Sequence, residues 1–176
     1  MLNTGSLSKP TVALHWLVAL AFIGVFGLGL YMVDLPRSPD KFELYAIHKS
    51  IGLLILLVAA VRIAWRIREG AIQPASSLPV WQEKLGKAVH GILMLATIAM
   101  PLSGILMSIG GGRAIELFGL ELIAAGEKMP LLQQSANTVH TFAVNALIVI
   151  FVLHIAGALK HQLIDKDGTL TRMLGR

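Results

Sequence analysis

Long apolar runs separated by short polar connections make up most of the chain. Four of these runs, Val12 to Val33, Leu44 to Trp65, Leu85 to Ile109 and Val139 to Leu159, come near the ~20 residues a helix needs to cross the hydrocarbon core of a bilayer. A soluble fold would need polar residues to interrupt such blocks, so lipid rather than water is their expected surroundings. The first holds His15 and no Asp, Glu, Lys or Arg. The second has His48 and Lys49 near its start and Arg62 near its end. The third carries His90 and Pro101, a residue expected to kink it, and the fourth carries His140 and His154. The pattern predicts an all-α integral membrane four-helix bundle, with residues 1–176 as a single membrane domain.

The connections fit this division. Pro36 to Asp40 make a short polar turn, and Gln73 to Pro79, with two prolines and two serines, link the second and third spans. The stretch Gly110 to Thr138 is longer. Within it, Ile115-Glu116-Leu117-Phe118 and Leu120-Glu121-Leu122-Ile123 are expected to form a short amphipathic piece at the membrane interface. The first span is longer than the apolar region of a secretion signal, contains a histidine, and runs into Asp34-Leu35-Pro36 without a small-residue cleavage site, so it is expected to be retained.

Composition agrees: 55% of residues are hydrophobic and 14% charged, against roughly 25% charged in an average soluble domain. The charge distribution orients the bundle. The N-terminus, the second connection, the C-terminus and the adjoining span ends hold ten Lys and Arg, and the opposite side holds five. With acidic residues included, the first side carries +6 and the other −1. The excess of Lys and Arg marks the cytoplasmic side, so both termini are expected there. This placement accounts for the net +5 without a nucleic-acid partner. The chain has no cysteine, which excludes disulfides, thiolate zinc sites, iron–sulfur clusters and covalent c-type haem.

All six histidines, His15, His48, His90, His140, His154 and His161, lie in or at the end of a predicted span. Ionisable residues at membrane depth are rare and usually face the bundle interior for a functional reason. A single such histidine is as readily a hydrogen-bonded packing residue as a ligand; six together favour ligation. His140 and His154 stand fourteen residues apart, so on a helix they share a face, about 40° out of register, at depths roughly 21 Å apart. His161, seven residues further, falls on nearly the same face at the cytoplasmic boundary. Depth pairs His48 with His140 on the outer side, and leaves His15 and His90 as rival partners for His154 on the cytoplasmic side. Gly29 and Gly104, fourteen residues beyond His15 and His90, fall at the outer level, where a missing side chain lets a flat macrocycle approach. The same glycines would also serve close helix packing.

Zinc would require three or four clustered ligands, whereas these histidines form two levels without a carboxylate inside the spans. Two imidazoles per iron is the axial set of a non-covalent electron-transfer haem. Lys49, Arg62, Lys84, Lys87 and Lys160 are candidate partners for haem propionates, or anchors that snorkel to the interface. Trp16, Trp65 and Trp81 read first as interfacial belt residues.

Several motifs in order resemble the bacterial cytochrome b561 family. They are Leu14-His15-Trp16; Ile47-His48-Lys49-Ser50-Ile51-Gly52 with Arg62 and Arg66; His90 with Pro101-Leu102-Ser103-Gly104; and Leu153-His154 through Lys160-His161 to Asp165-Lys166-Asp167-Gly168-Thr169-Leu170-Thr171-Arg172-Met173-Leu174. The resemblance implies two haem b groups and electron exchange with quinone. It implies that His48 and His140 ligate the outer haem and His15 and His154 the cytoplasmic one, leaving His90 and His161 for a quinone site. The expected partners are quinone, the lipid bilayer, a periplasmic redox protein and a second copy of the chain in a homodimer. The resemblance also permits a superoxide oxidase, although an outer face at −1 would not steer an anion inward. Two other readings are a haem-bearing anchor subunit for a dehydrogenase or hydrogenase, and a proton-coupled transporter. The lack of intramembrane Asp or Glu weighs against the transporter.

Overall fold

In the computed structural model, which describes residues 6–72 and 75–175, the chain forms four long helices. They are α1 (Lys9–Asp34), α2 (Pro39–Glu69), α3 (Val80–Gly110) and α4 (Pro130–Lys160). All four are long and apolar enough to cross a membrane. Gln73 and Pro74 of the second connection lie outside the described residues. Local chemistry sets the helix starts. Ser8 and Ser38 accept hydrogen bonds from the backbone N–H of Thr11 and Lys41, at 3.3 and 3.2 Å, and Pro10 and Pro39 occupy the first turns. In the turn between α1 and α2, Lys41 Nζ donates to the Leu35 carbonyl at 2.6 Å and so satisfies an acceptor at the end of α1. α2 stops at Gly70, whose φ of 82° lies in the left-handed region. α3 continues through Pro101, which forfeits the backbone bond to the Thr97 carbonyl.

The core lies at mid-depth and draws on every helix: Phe22 and Val25 from α1, Ile55 from α2, Ala96 and Met100 from α3, and Leu147 from α4. Consecutive helices pack side by side, with α3 against α4 the most extensive pairing. α4 reaches α1 through rings, Phe151 standing 6.0 Å from Phe22 and 5.5 Å from Phe26. On the outside, Leu20, Leu57, Leu95 and Val152 are each more than 60% exposed. Water would penalise that surface by roughly 25 cal/mol for each Å² of apolar area, whereas lipid accepts it. At one position two helices nearly touch: a Cβ on Gly110 would stand 2.5 Å from the Gln133 backbone nitrogen, so the join between α3 and α4 needs glycine.

The stretch expected as an amphipathic interfacial piece is a β-hairpin. β1 (Ile115–Leu117) pairs antiparallel with β2 (Leu120–Ile123), and Phe118 and Gly119 form the turn, both at positive φ. Two positive-φ residues are what a tight hairpin turn requires. Ser50 of α2 fastens the hairpin to the bundle: its hydroxyl accepts from the Phe118 N–H at 2.9 Å and donates to the Glu116 carbonyl at 3.4 Å. This end of the molecule is the hairpin end, and the other, which holds both termini, is the terminal end. There, α4 runs into a single π-helical turn (His161–Asp165), and the chain reverses through Lys166 and Gly168, both left-handed, into α5 (Thr169–Met173).

Candidate functional site

The structure gathers five of the six histidines into two groups, one on each side of the apolar core. At the hairpin end, His48 of α2 faces His140 of α4 with ring centroids 6.4 Å apart and ring planes at 71°. At the terminal end, His154 of α4 lies 6.5 Å from His15 of α1 and 5.3 Å from His90 of α3. His15, His48, His140 and His154 are half-buried, while His90 is exposed. His161 belongs to neither group. It lies on the π turn, with Nδ1 at 2.7 Å from Asp167 and 3.3 Å from Asp165.

The spacing can be tested against a bis-imidazole metal. With metal–nitrogen bonds of about 2.0–2.1 Å, two trans imidazoles hold their centroids about 6.3 Å apart. His48–His140 and His15–His154 match that separation, and His90–His154 is about an ångström too close.

Second contacts also bear on ligation. The Ser103 hydroxyl donates to the Met100 carbonyl at 2.8 Å, which commits its only hydrogen, so at 2.8 Å from His140 Nδ1 it acts as acceptor. That assigns the His140 proton to Nδ1 and leaves Nε2 with a free lone pair, the tautomer a metal-binding histidine uses. His48 Nδ1 is buried without a hydrogen bond of good geometry, although the Val25 carbonyl is a candidate acceptor. The two predicted glycines lie beside these rings: a Cβ on Gly29 would stand 3.2 Å from His48 Cε1, and one on Gly104 would stand 3.8 Å from His140 Cε1. An orphaned ring nitrogen, a tautomer-fixed partner and two bare backbones fit a flat group held between imidazoles.

The terminal-end group has a cation at its edge. Arg62 Nη2 lies 3.2 Å from His15 Nδ1. A guanidinium only donates, so His15 accepts at Nδ1 here. For His15 to bind a metal through Nε2, Arg62 would turn away from the ring toward an anion, and haem propionates are anions of that kind. Lys87 and Lys160, also considered for that role, are paired with Glu83 and Asp165, each at 2.6 Å. Trp16 is more than a belt residue. Its ring stands edge-on to His15 with centroids 5.4 Å apart, and its Nε1 donates to the Met173 carbonyl at 2.7 Å. Trp65 Nε1 donates to Thr11 Oγ1 at 3.1 Å, and Thr11 in turn donates to Glu69.

Ser103 and Ser50 were not singled out from the sequence. Ser103 directly precedes the glycine of the Pro101-Leu102-Ser103-Gly104 motif, and Ser50 follows His48 by two residues, so their proximity to the sites was the available signal.

Comparison with known proteins gives the family. The family model for prokaryotic cytochrome b561 matches residues 6–176. The chain is 34% identical over 172 residues to cytochrome b561 homolog 2 of Escherichia coli K12, covering 94% of this chain and 89% of that protein. It is 25% identical to cytochrome b561 homolog 1 of the same organism, covering 96% and 97% of the two chains. It is also 28% identical to the probable superoxide oxidase CybB of Yersinia pestis, covering 93% and 92%. With four spans, an interior histidine system and a family match over nearly its whole length, this chain belongs to the prokaryotic cytochrome b561 family, the haem b electron-transfer proteins of the bacterial inner membrane.

Proposed function

We propose that the protein carries two non-covalent b haems, one between His48 and His140 at the hairpin end and one between His15 and His154 at the terminal end, and passes electrons between a donor and quinone. The observation that carries this reading is the pair of ring separations, 6.4 and 6.5 Å, on either side of the apolar core. Bound haem supplies one-electron exchange at iron. The chain supplies the axial imidazoles, a low-dielectric surrounding that excludes water, and Arg62 as partner for a propionate. Two imidazoles on one iron would leave it no open position, which suits electron passage rather than oxygen chemistry.

In this reading the terminal end faces the cytoplasm, in keeping with the Lys and Arg excess there, and the hairpin end faces the periplasm, where a redox partner docks. His90, exposed beside His154, and His161 line the quinone site. The single membrane domain pairs with a second copy as a homodimer. A second reading takes superoxide as the donor, since one relative is a probable superoxide oxidase.

A pyridine haemochrome assay on detergent-purified protein tests the proposal and should give two haems per chain with low-spin spectra. A ratio of one or none would overturn it. Superoxide-driven quinone reduction by the purified protein separates the second reading from a protein donor.

A further inference from the structure

The two histidine pairs differ in what stands behind their rings. At the hairpin end, Ser103 accepts the Nδ1 proton of His140, and the Val25 carbonyl is a candidate acceptor for His48. At the terminal end the contact to His15 Nδ1 comes from Arg62, which only donates and cannot take a ring proton. Among the described residues, no hydrogen bond runs from His15 or His154 to an acceptor. Each ring instead has another ring standing edge-on to it. His90 lies beside His154 at 5.3 Å and 77°, and Trp16 lies beside His15 at 5.4 Å and 84°. The hydrogen bond at the second nitrogen is what normally orients a metal-binding imidazole, so here packing decides the ring plane.

Trp16 is itself fixed from far along the chain. Its Nε1 donates to the Met173 carbonyl, 157 residues away, at 2.7 Å, the short end of the N–H···O range. Met173 is the last residue of α5, and Asp167 holds the start of that helix. One Asp167 oxygen accepts from the Thr169 N–H at 2.9 Å, and the other accepts from the Ser76 hydroxyl at 2.8 Å, in the connection between α2 and α3. Burial raises the Asp167 carboxyl, but the hydrogen bonds from Thr169, Ser76 and His161 outweigh that and hold it at about 2. It is therefore an anion across the physiological range.

A line of contacts thus runs from Ser76 through Asp167 and α5 to Trp16, and from Trp16 to the His15 ring. A belt tryptophan satisfies its N–H with water or headgroups at the membrane boundary. Trp16 gives its N–H to the backbone of α5 instead, and turns its edge to a ring at the site. Holding down the chain end alone does not call for this bond, because Asp167 already ties the segment to Ser76.

We propose that Trp16, locked by the Met173 carbonyl, is the positioning residue that sets the ring plane of His15 at the terminal-end haem, which makes the C-terminal segment part of that site. The inference rests on His15 and His154 being the axial pair, as read above. The angle between two axial imidazole planes orders the iron d orbitals, and axial and surrounding groups set the potential of a low-spin haem. The planes stand at 52° at the terminal end and 71° at the hairpin end, so the two haems are expected to give separate EPR signals. Displacing α5 frees the indole, turns the ring and changes how readily that haem takes an electron.

The test records EPR spectra and redox titrations of the haem-loaded protein in detergent, with the terminal-end signal identified as the one lost in His154→Ala. Trp16→Phe keeps an aromatic ring and removes the N–H. It should be purified with both haems, shift or broaden the g values of the terminal-end haem, and leave the hairpin-end signal unchanged. Groups behind a metal ligand are worth about 10–100-fold in affinity, so the terminal-end haem should also pass to apomyoglobin at least about tenfold faster. Asp167→Asn, which loosens α5 without altering Trp16, should shift the same signal, and it carries the test if Trp16→Phe folds poorly. Unchanged g values in Trp16→Phe, or an equal shift at both haems in either variant, would overturn the proposal. So would an Asp167→Asn protein whose α5 exchanges freely while the terminal-end signal stays as in the parent. If His15→Ala keeps both haems, the ligand assignment itself fails and the positioning role falls with it.

Discussion

Ser103 holds His140 by its Nδ1 proton while its own hydroxyl is committed to the Met100 carbonyl, so one turn of α3 fixes the tautomer of a ring on α4. Interactions of this kind behind a metal ligand are worth about 10–100-fold in metal affinity. Ser103→Ala should therefore weaken the hairpin-end haem by roughly that factor and leave the other in place. Haem transfer to apomyoglobin, followed at the two haem spectra, measures it; equal release from both sites would contradict the assignment.

The ring separations order the histidine variants. His48→Ala and His140→Ala should each remove the same haem, because a single imidazole holds a b haem poorly without a covalent link. His154→Ala and His15→Ala should remove the other. His90→Ala should keep both haems and lower quinone-coupled turnover, since its ring stands 5.3 Å from His154, too close for a shared iron. Loss of a haem in His90→Ala with both retained in His15→Ala would reverse the terminal-end pairing. His161→Ala should keep both haems.

Orientation is open to a direct test. Reporter fusions after Arg176 and within residues 111–129 should report opposite compartments, with the C-terminal fusion in the cytoplasm. The same compartment for both would contradict four spans.

Two glycine substitutions should differ in sign. At Gly110 a Cβ meets the Gln133 backbone at 2.5 Å, and overpacking of this kind costs about 1–3 kcal/mol. At Gly52 nothing lies within 4 Å, and alanine gains up to about 1 kcal/mol of helix propensity. Thermal unfolding in detergent should show Gly110→Ala less stable than the parent and Gly52→Ala no less stable.

Asp167 sets an acid limit on the C-terminal segment. Its carboxyl is lowered from 3.8 to about 2, so its stabilising contribution is complete above about pH 4 and is lost as pH falls toward 2. Hydrogen exchange in residues 169–173 should rise over that window, and Asp167→Asn should show raised exchange already at neutral pH.

Much of this arrangement was legible in the sequence. The four spans follow from apolar run length, and the fourteen-residue interval from His15 to Gly29 and from His90 to Gly104 placed both glycines at the level of the hairpin-end rings. Helix ends were less legible: α4 begins at Pro130 rather than near Val139, because hydropathy marks where lipid begins while backbone hydrogen bonds continue past it. Spacing alone left the choice between His15 and His90 open, since depth along a helix says nothing of how that helix is rotated against its neighbours, and the family resemblance pointed to His15. The hairpin carried a period-two pattern in Ile115 to Ile123, but its attachment depends on Ser50, sixty-six residues before Glu116. Trp16 was read from its depth alone, and its bond to Met173 joins opposite ends of the chain.

The mid-depth core of Phe22, Val25, Ile55, Ala96, Met100 and Leu147 offers no titratable side chain. With a haem on each side of it, charge would cross that layer as electrons while protons stay at their own surface. Each transfer would then be electrogenic: an electron moving between the two haems works with or against the membrane voltage, at up to about 2.3 kcal/mol per 100 mV for a full crossing. The share of electrons on each haem would follow the energisation of the cell, so the protein would pass current more easily in one polarity than in the other.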